Sequence, residues 1–339
     1  MIISLDECLL SLQAGEIVAL PSETVYGLAG NALLDSTVEK IYQLKGRPST
    51  NPLIVHVHGL EQAEDLAEIN HTARISAEHF WPGPLTIILT KKPCIPDRIS
   101  AGLPSVALRA PAHPLFREVL QGLDFPLAAP SANLSNSTSP TCPQHILDSF
   151  GEKAPEVLEG GSCEIGLEST VVSLVDEENI QILRQGPISK EELEEVLGKK
   201  IANPGNLENK ETKQSLHPAK PSLSPGTGAV HYAPKTPLYL YDNPEKLLGK
   251  KSELTEDDLV VVHYTEQKES FGDTMFPVLT LSEDGNIEEI AHNLYATLHL
   301  ADKQKKQAIH LSKIVQNHPL SGAINDRLSR AANRKQTAH

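Results

Sequence analysis

Lys45 and Arg47, two cations separated by one glycine, are followed by Asn51 and His56 in the stretch YQLKGRPSTNPLIVHV, residues 42–57. A guanidinium offers a planar fork and an ammonium a compact charge, a combination that suits a polyphosphate. In an extended segment residues i and i+2 point the same way, so both cations would face one anion. The same residues also fit an ordinary helix end: basic groups near a C-terminus complement the dipole, and Gly46 suits the position after the last turn. Both readings stand on this stretch alone.

A second cluster follows the apolar run PLAAP, where Ser131-x-Asn133 opens a series of Ser, Thr and Asn up to Thr141. Hydroxyls and amides bind phosphate and ribose without carrying charge, although Ser, Asn and Pro are also turn residues. Further polar groups sit at the ends of apolar runs: Thr24 and Tyr26 after EIVAL, Arg109 in SVALRA, Ser169 and Thr170 in GLESTVV, and Arg184 in IQILR. Open α/β sheets place ligands beyond the carboxyl ends of their strands. The familiar signatures are missing. No G-x-x-x-x-G-K-[ST] is present, because Leu193 and Pro244 stand where the Gly-Lys pairs at Gly198 and Gly249 need a first glycine. There is no G-x-G-x-x-G after a strand, no H-E-x-x-H and no G-x-S-x-G.

The elements that must carry these residues alternate strand and helix over residues 1–200. EIVAL (16–20), PLIVHV (52–57), LTIILT (85–90), SVALRA (105–110) and PLAAP (126–130) read as strands; STVVSLV and IQILR read as a hairpin. SETVYGLAG reads as a turn. STVEKIYQLKG reads as a helix with a capping box from Ser36 to Glu39, and SKEELEEVLGKK as one capped from Ser189 to Glu192. HPLFREVLQGL is a further helix with Pro114 in its first turn. From about 201 the pattern gives way to Pro, Asn, Ser and Lys without an apolar period, the composition of a linker. LVVVHY, IEEIAHNLYATLHLADKQ, AIHLSKIV and GAINDRLSRAANR then form a second, smaller α/β unit.

The chain has 339 residues, which sets a prior of two domains. Asp and Glu (44) outnumber Lys and Arg (30), and the net charge of -14 excludes a polycation that coats nucleic acid. Cys8, Cys94, Cys142 and Cys163 are far apart in sequence, which argues against a zinc ribbon or a disulfide framework and fits a reducing compartment. No apolar run approaches a membrane span, and the N-terminus lacks a basic n-region; a soluble cytoplasmic protein with no membrane partner is expected.

Taken together, PSETVYGLAG, KGRPSTNPLIVHV, SVALRAPAHP, PSANLSNSTSPT, GLESTVV and ILRQG resemble the YrdC/Sua5 family of threonylcarbamoyl-AMP synthases, in the family's order. SPGTGAVHYAP and SGAINDRLSRAAN resemble the long, Sua5-type version. The resemblance implies a YrdC-like twisted open α/β sheet over 1–205, an interdomain linker over 206–236, and a smaller Rossmann-like α/β domain over 237–339. It implies that L-threonine, bicarbonate or CO2 and ATP give threonylcarbamoyl-AMP, pyrophosphate and water. Mg²⁺ would be held mainly through the phosphates. The product would pass to a tRNA threonylcarbamoyl-transferase complex.

Motif by motif, the resemblance assigns Arg47, Asn51, Ser105, Asn133, Thr141, Arg184 and Tyr232 to ATP, with Lys45 beside Arg47 as the catalytic pair. It assigns Thr24, His56, Arg109, Ser131, Ser169 and Thr170 to L-threonine. The sequence departs from the family at Gln185, where proline is common, and at Asn136, where glycine is common. It also departs at Thr227, Gly228, Ala229 and Val230, where the linker usually carries basic residues. Two rivals remain. One is an RNA-binding module using the locally basic residues 303–335, against which stands a solvated helix face in an acidic chain. The other is a different carbamoyl-adenylate enzyme, whose additional large domain or zinc-finger segments this chain lacks.

Overall fold

A computed structural model describes residues 1–201 and 231–332. Most of the expected linker, including Thr227–Val230, lies outside the described residues, as do Arg334 and Lys335. Ten strands form the first sheet: β1 (Ile2–Ile3), β2 (Val18–Leu20), β3 (Gly27–Asn31), β4 (Ile54–His56), β5 (Leu85–Thr90), β6 (Ser105–Arg109), β7 (Leu127–Ala128), β8 (Glu156–Leu158), β9 (Thr170–Ser173) and β10 (Gln181–Arg184). Their order is β1-β8-β2-β3-β7-β4-β6-β5-β9-β10. The sheet is mixed: β4 and β6 run parallel, whereas β5–β6, β4–β7 and β2–β3 are antiparallel. The late hairpin is present as β9 and β10, with a register shift before Arg184.

The second sheet contains β11 (Leu238–Tyr241), β12 (Asp258–Val262), β13 (Val278–Thr280) and β14 (Ala308–Ser312), all parallel, in the order β11-β14-β12-β13. Its long helix Ile287–Lys303 buries Ile290, Leu294 and Leu298 on one face, a 3.6-residue stripe. That stripe, the β11, β12 and β14 side chains Leu238, Leu259, Ile309 and Leu311, and the helix Pro319–Ala332 share one core. The core also takes in Val25, Leu167 and Tyr232, so the two sheets are joined by apolar packing. Lys303 pairs with Asp148 at 2.7 Å, and the His145 and His299 rings stack at 3.9 Å across the same junction.

Several local expectations hold. Gly46 ends the helix Asp35–Lys45 at φ 58°, a left-handed position that suits a residue without Cβ. Pro114 occupies the first turn of Pro114–Gln121, and Ser189 and Glu192 form a reciprocal capping box. Two expectations fail. Helix Asp35–Lys45 starts one residue before Ser36, so no capping box forms there; Leu34 is its N-cap with no side-chain bond, and Glu39 pairs with Arg98 and Gln43 instead. Within SETVYGLAG, residues 27–30 are strand rather than turn. Gly30 is required there by close packing: a Cβ would lie 2.5 Å from Thr37 Cγ2.

Candidate active site

The site grows out of one face of the first sheet. Ile54 and His56 on β4 pair with Ala107 and Arg109 on β6, so these four side chains share a face. Antiparallel β5 and the β9–β10 hairpin continue that face to Arg184, which pairs with Val171. Ile54, Ile88, Ala107 and Val171 form an apolar floor. The polar residues therefore do not gather only beyond strand ends, as a parallel sheet would arrange them. The mixed order lays them over a face as well.

One cavity collects Ser22, Thr24, Arg47, His56, Arg109, Ser131, Ser169, Arg184 and Tyr232, with Phe116, Glu168 and His231. Arg109 is 4% exposed and fixed on three sides: Nη2 donates to Glu23 Oε1 at 2.6 Å, Nη1 to Thr24 Oγ1 at 2.9 Å, and Nε to the Gly83 carbonyl at 3.2 Å. Arg47 is braced by its own loop, with Nη2 on the Pro52 carbonyl at 2.9 Å and Nε on the Asn51 carbonyl at 3.2 Å. Arg184 donates from Nη2 to Ser169 Oγ at 2.9 Å and from Nε to the Ser169 carbonyl. Burial lowers the Arg47 pKa to about 10, which still leaves it charged near neutrality.

Lys45 is used differently from the expectation. It is the last residue of its helix, and left-handed Gly46 breaks the extended geometry that would aim Lys45 and Arg47 the same way. Lys45 Nζ donates to the carbonyls of Ser131 and Asn133, the latter at 2.6 Å, and so ties the Ser-x-Asn turn in place from behind the cavity wall. Burial, then Arg47, pushes its pKa well below the usual range. Asn133 closes the same turn by accepting from Ser131 Oγ at 2.6 Å and donating to the Ser137 carbonyl at 2.7 Å.

Three further assignments fall off the wall. Thr170 alternates with Val171 and faces away; its hydroxyl donates to the Ile188 carbonyl at 2.7 Å. Thr141 is buried against His145. Ser105 shares the face with Arg109 but begins the five-residue strand that Arg109 ends, roughly 13 Å away along β6. Asn51 lies beside Arg47, with a buried Oδ1 that has no partner.

Sequence reasoning missed the carboxylates. Glu23 and Glu168 are 4% and 6% exposed. They sit inside PSETVYGLAG and GLESTVV, adjacent to residues already singled out, so position next to a cationic pocket was the available signal. Burial raises the Glu168 pKa, but Arg327, Arg184 and the Ser139 hydroxyl outweigh it and hold the group below its usual value.

His56 stacks on Phe116 at 5.1 Å, and its Nδ1 is buried without a partner. Burial and then Arg109 depress its pKa to about 3; burial does the same to His231, and burial plus His299 to His145. Each is neutral when folded but takes a proton near pH 6.5 when unfolded. Their contribution to stability is thus complete above about pH 6.5 and is lost as pH falls toward 3. The part of the melting temperature that these histidines set should be constant between about pH 7 and 8 and fall steadily below about pH 6.5. His145→Gln should show a shallower acid limb in the same scan.

The comparisons with known proteins agree across the chain. A family model described as telomere recombination, Sua5/YciO/YrdC, matches residues 11–186, and one described as threonylcarbamoyl-AMP synthase, C-terminal domain, matches residues 188–333. The chain is similar to the threonylcarbamoyl-AMP synthase of Pyrococcus abyssi, 36% identical over 95% of this chain and 92% of that protein. It is also similar to that of Bacillus subtilis, 38% identical over 95% and 90%. The crystal structure of Pyrococcus abyssi Sua5 complexed with L-threonine superposes with a TM-score of 0.83 at 34% identity, covering 97% of this chain and 94% of that one.

Proposed function

The chain belongs to the YrdC/Sua5 family of threonylcarbamoyl-AMP synthases, and on that premise we propose how its cavity performs the reaction. It is a nucleotidyltransferase: L-threonine, bicarbonate or CO2 and ATP give L-threonylcarbamoyladenylate, pyrophosphate and water, for threonylcarbamoyladenosine modification of tRNA. Bicarbonate takes up a proton and loses water to give CO2, so water is a product only when bicarbonate is the source. The threonine amine then bonds to CO2 and releases a proton to solvent, giving a carbamate. A carbamate oxygen then forms the new bond to the α-phosphorus while the α–β bridging bond breaks and pyrophosphate leaves.

The observation that carries this reading is the convergence of Arg47, Arg109 and Arg184 on one cavity whose hydroxyls have no base. Ser22 and Thr24 bond each other at 2.9 Å, Ser131 bonds Asn133, and Ser169 bonds Thr86 and Arg184. Neither His56 nor His231 makes a nucleophile–base pair with them. Such a site suits two anions that must be aligned and neutralised, with no covalent enzyme intermediate. Arg109, held rigid by Glu23 and Thr24, balances the threonine carboxylate, with Thr24, Ser131 and neutral His56 around the amino acid. Arg47 and Arg184 face the phosphates, Asn51 and Tyr232 stand beside them, and Ser105 marks the far end of the same face. Lys45, Asn133, Thr141 and Thr170 shape these walls rather than touch substrate.

Among the described residues no three His, Cys, Asp or Glu side chains gather as metal ligands. The nearest carboxylates already hold Arg109 and Arg327. The donor set therefore fits a Mg²⁺ carried by phosphates and water, which would neutralise phosphate charge, rather than one caged by protein. Release of the adenylate to a tRNA threonylcarbamoyl-transferase complex completes the proposed sequence.

Direct RNA binding is less favoured. Lys303, Lys313 and Arg327 pair with Asp148, Asp242 and Glu168, and Arg330 pairs with Asp326. The test of the reading is pyrophosphate release from ATP and bicarbonate. Release should require L-threonine; release at the same rate without it would remove the reading.

A further inference from the structure

Arg327 is 1% exposed and heads the fully buried side chains by size. It projects from helix Pro319–Ala332 among Leu320, Ala323, Ile324, Leu328 and Ala331, positions that all face the core. Burying a guanidinium in such a stripe is costlier than burying an aliphatic side chain of similar volume, unless close pairing and hydrogen bonds offset the lost hydration.

One contact stays on its own helix, Nη1 donating to Asp326 Oδ2 at 3.1 Å, and the others run into the cavity described above. Nε donates to Glu168 Oε2 at 3.0 Å. The Tyr295 hydroxyl donates to the same oxygen at 2.9 Å, and Ser139 Oγ donates to Oε1 at 2.6 Å. Both carboxylate oxygens are thus occupied, and Glu168 has one place to sit. The Arg327 guanidinium also lies over the Tyr232 ring, 5.2 Å from its centroid, and Tyr295 stacks on that ring at 5.9 Å.

Tyr232 has φ 61°, a left-handed conformation uncommon for a residue with a side chain. Its neighbours are pinned on both sides, by Ala233 N donating to the Asn136 carbonyl at 2.9 Å and by His231 N on the Arg330 carbonyl. Glu168, His231 and Tyr232 line the cavity with Arg47 and Arg184. The Tyr232 hydroxyl and Arg327 Nη2 are buried without partners. Thr24 and Arg109, on the threonine side, bond to neither Arg327 nor Tyr232.

We infer that Arg327 is a positioning residue for the nucleotide half of the reaction, setting the Tyr232 ring and the Glu168 carboxylate on the cavity wall. The task of the second domain is then to complete the first domain's active site. This inference rests on the functional reading above. It predicts an asymmetry: loss of Arg327 weakens the nucleotide and leaves threonine alone. A role in stability alone would lower the folded fraction and the apparent kcat, without discriminating between substrates.

The test uses the full chain with Arg327→Met, Arg327→Lys and Arg327→Gln. Steady-state KM values for ATP and threonine are measured beside calorimetric titration with a non-hydrolysable ATP analogue and a thermal melt. Arg327→Met should raise both the ATP KM and the analogue Kd about tenfold, with the threonine KM changed by less than about twofold. Arg327→Lys keeps a charge for Glu168 but loses the plane over Tyr232, so it should recover only part. Should the Met variant lose its melting transition, the Gln variant carries the same titration. Unchanged analogue affinity in a folded variant overturns the inference, as does an equal rise in both KM values. The analogue titration needs no turnover; absent threonine-dependent turnover in the unsubstituted chain would overturn the functional reading instead.

Discussion

Arg109→Met is expected to lower kcat/KM for threonine by about 10³-fold, near 4 kcal/mol, and to lower the melting temperature as well. The two effects have separate causes. Catalysis loses the guanidinium that balances the substrate carboxylate in a cavity where water screens little. Stability falls because the Glu23 carboxylate, whose Oε1 accepts at 2.6 Å and whose Oε2 has no partner, is left buried without a counter-charge. Breaking such a pair from one side costs about 3–5 kcal/mol. Adding Glu23→Gln removes the stranded charge, so the double variant should regain melting temperature without regaining threonine kcat/KM. Differential scanning calorimetry and threonine-saturation kinetics on the parent and these two variants read both arms. A single variant with threonine kcat/KM within about tenfold of the parent would take Arg109 out of the threonine pocket.

Arg47→Ala should cost about 10²–10³ in kcat/KM for ATP, the usual loss when one donor to developing phosphate charge is removed. Threonine affinity, measured by calorimetry without nucleotide, should stay unchanged, because Arg47 bonds its own loop and not the Thr24–Arg109 side. Arg47→Lys is the informative control. It keeps a charge but not the fork, and Nε and Nη2 serve separate carbonyls here. It should recover less than a tenth of the lost rate, since one ammonium cannot both brace the loop and face the ligand. Equal ATP kinetics for the Ala variant would show that the nucleotide lies elsewhere.

The strands with strong apolar runs were legible because their period and β-branched content survive without context: LTIILT is β5 residue for residue, and SVALR is β6. β1 and β8 were not legible; β2, β4 and β7 are as short but sit inside longer apolar runs, which β1 and β8 lack. β3 was hidden by its glycines, which read as turn yet serve close packing, Gly30 against Thr37 and Gly27 against Ala129.

At the site, types and order were legible but directions were not. Thr170 and Val171 exchange faces with a one-residue change of register, and nothing in GLESTVV says which looks inward. Lys45 failed for a related reason, because a helix end and a left-handed glycine stand where an extended pair was assumed. Arg327 was counted among the basic residues of a solvated face. Its spacing from Leu320, Ala323, Ile324 and Ala331 marks it instead as a cation in an apolar stripe, a signal that charge counting alone does not use.

The central claim is that one cavity joins threonine, CO2 and the α-phosphoryl group of ATP directly, without a protein nucleophile. The most direct measurement is mass spectrometry of both nucleotide and protein after incubation with ATP, L-threonine and ¹³C-bicarbonate. The account predicts a threonylcarbamoyl-adenylate heavier by the single labelled carbon, formed only with threonine, and an unmodified protein mass. An adenylylated protein, or an adenylate lacking the labelled carbon, would contradict it.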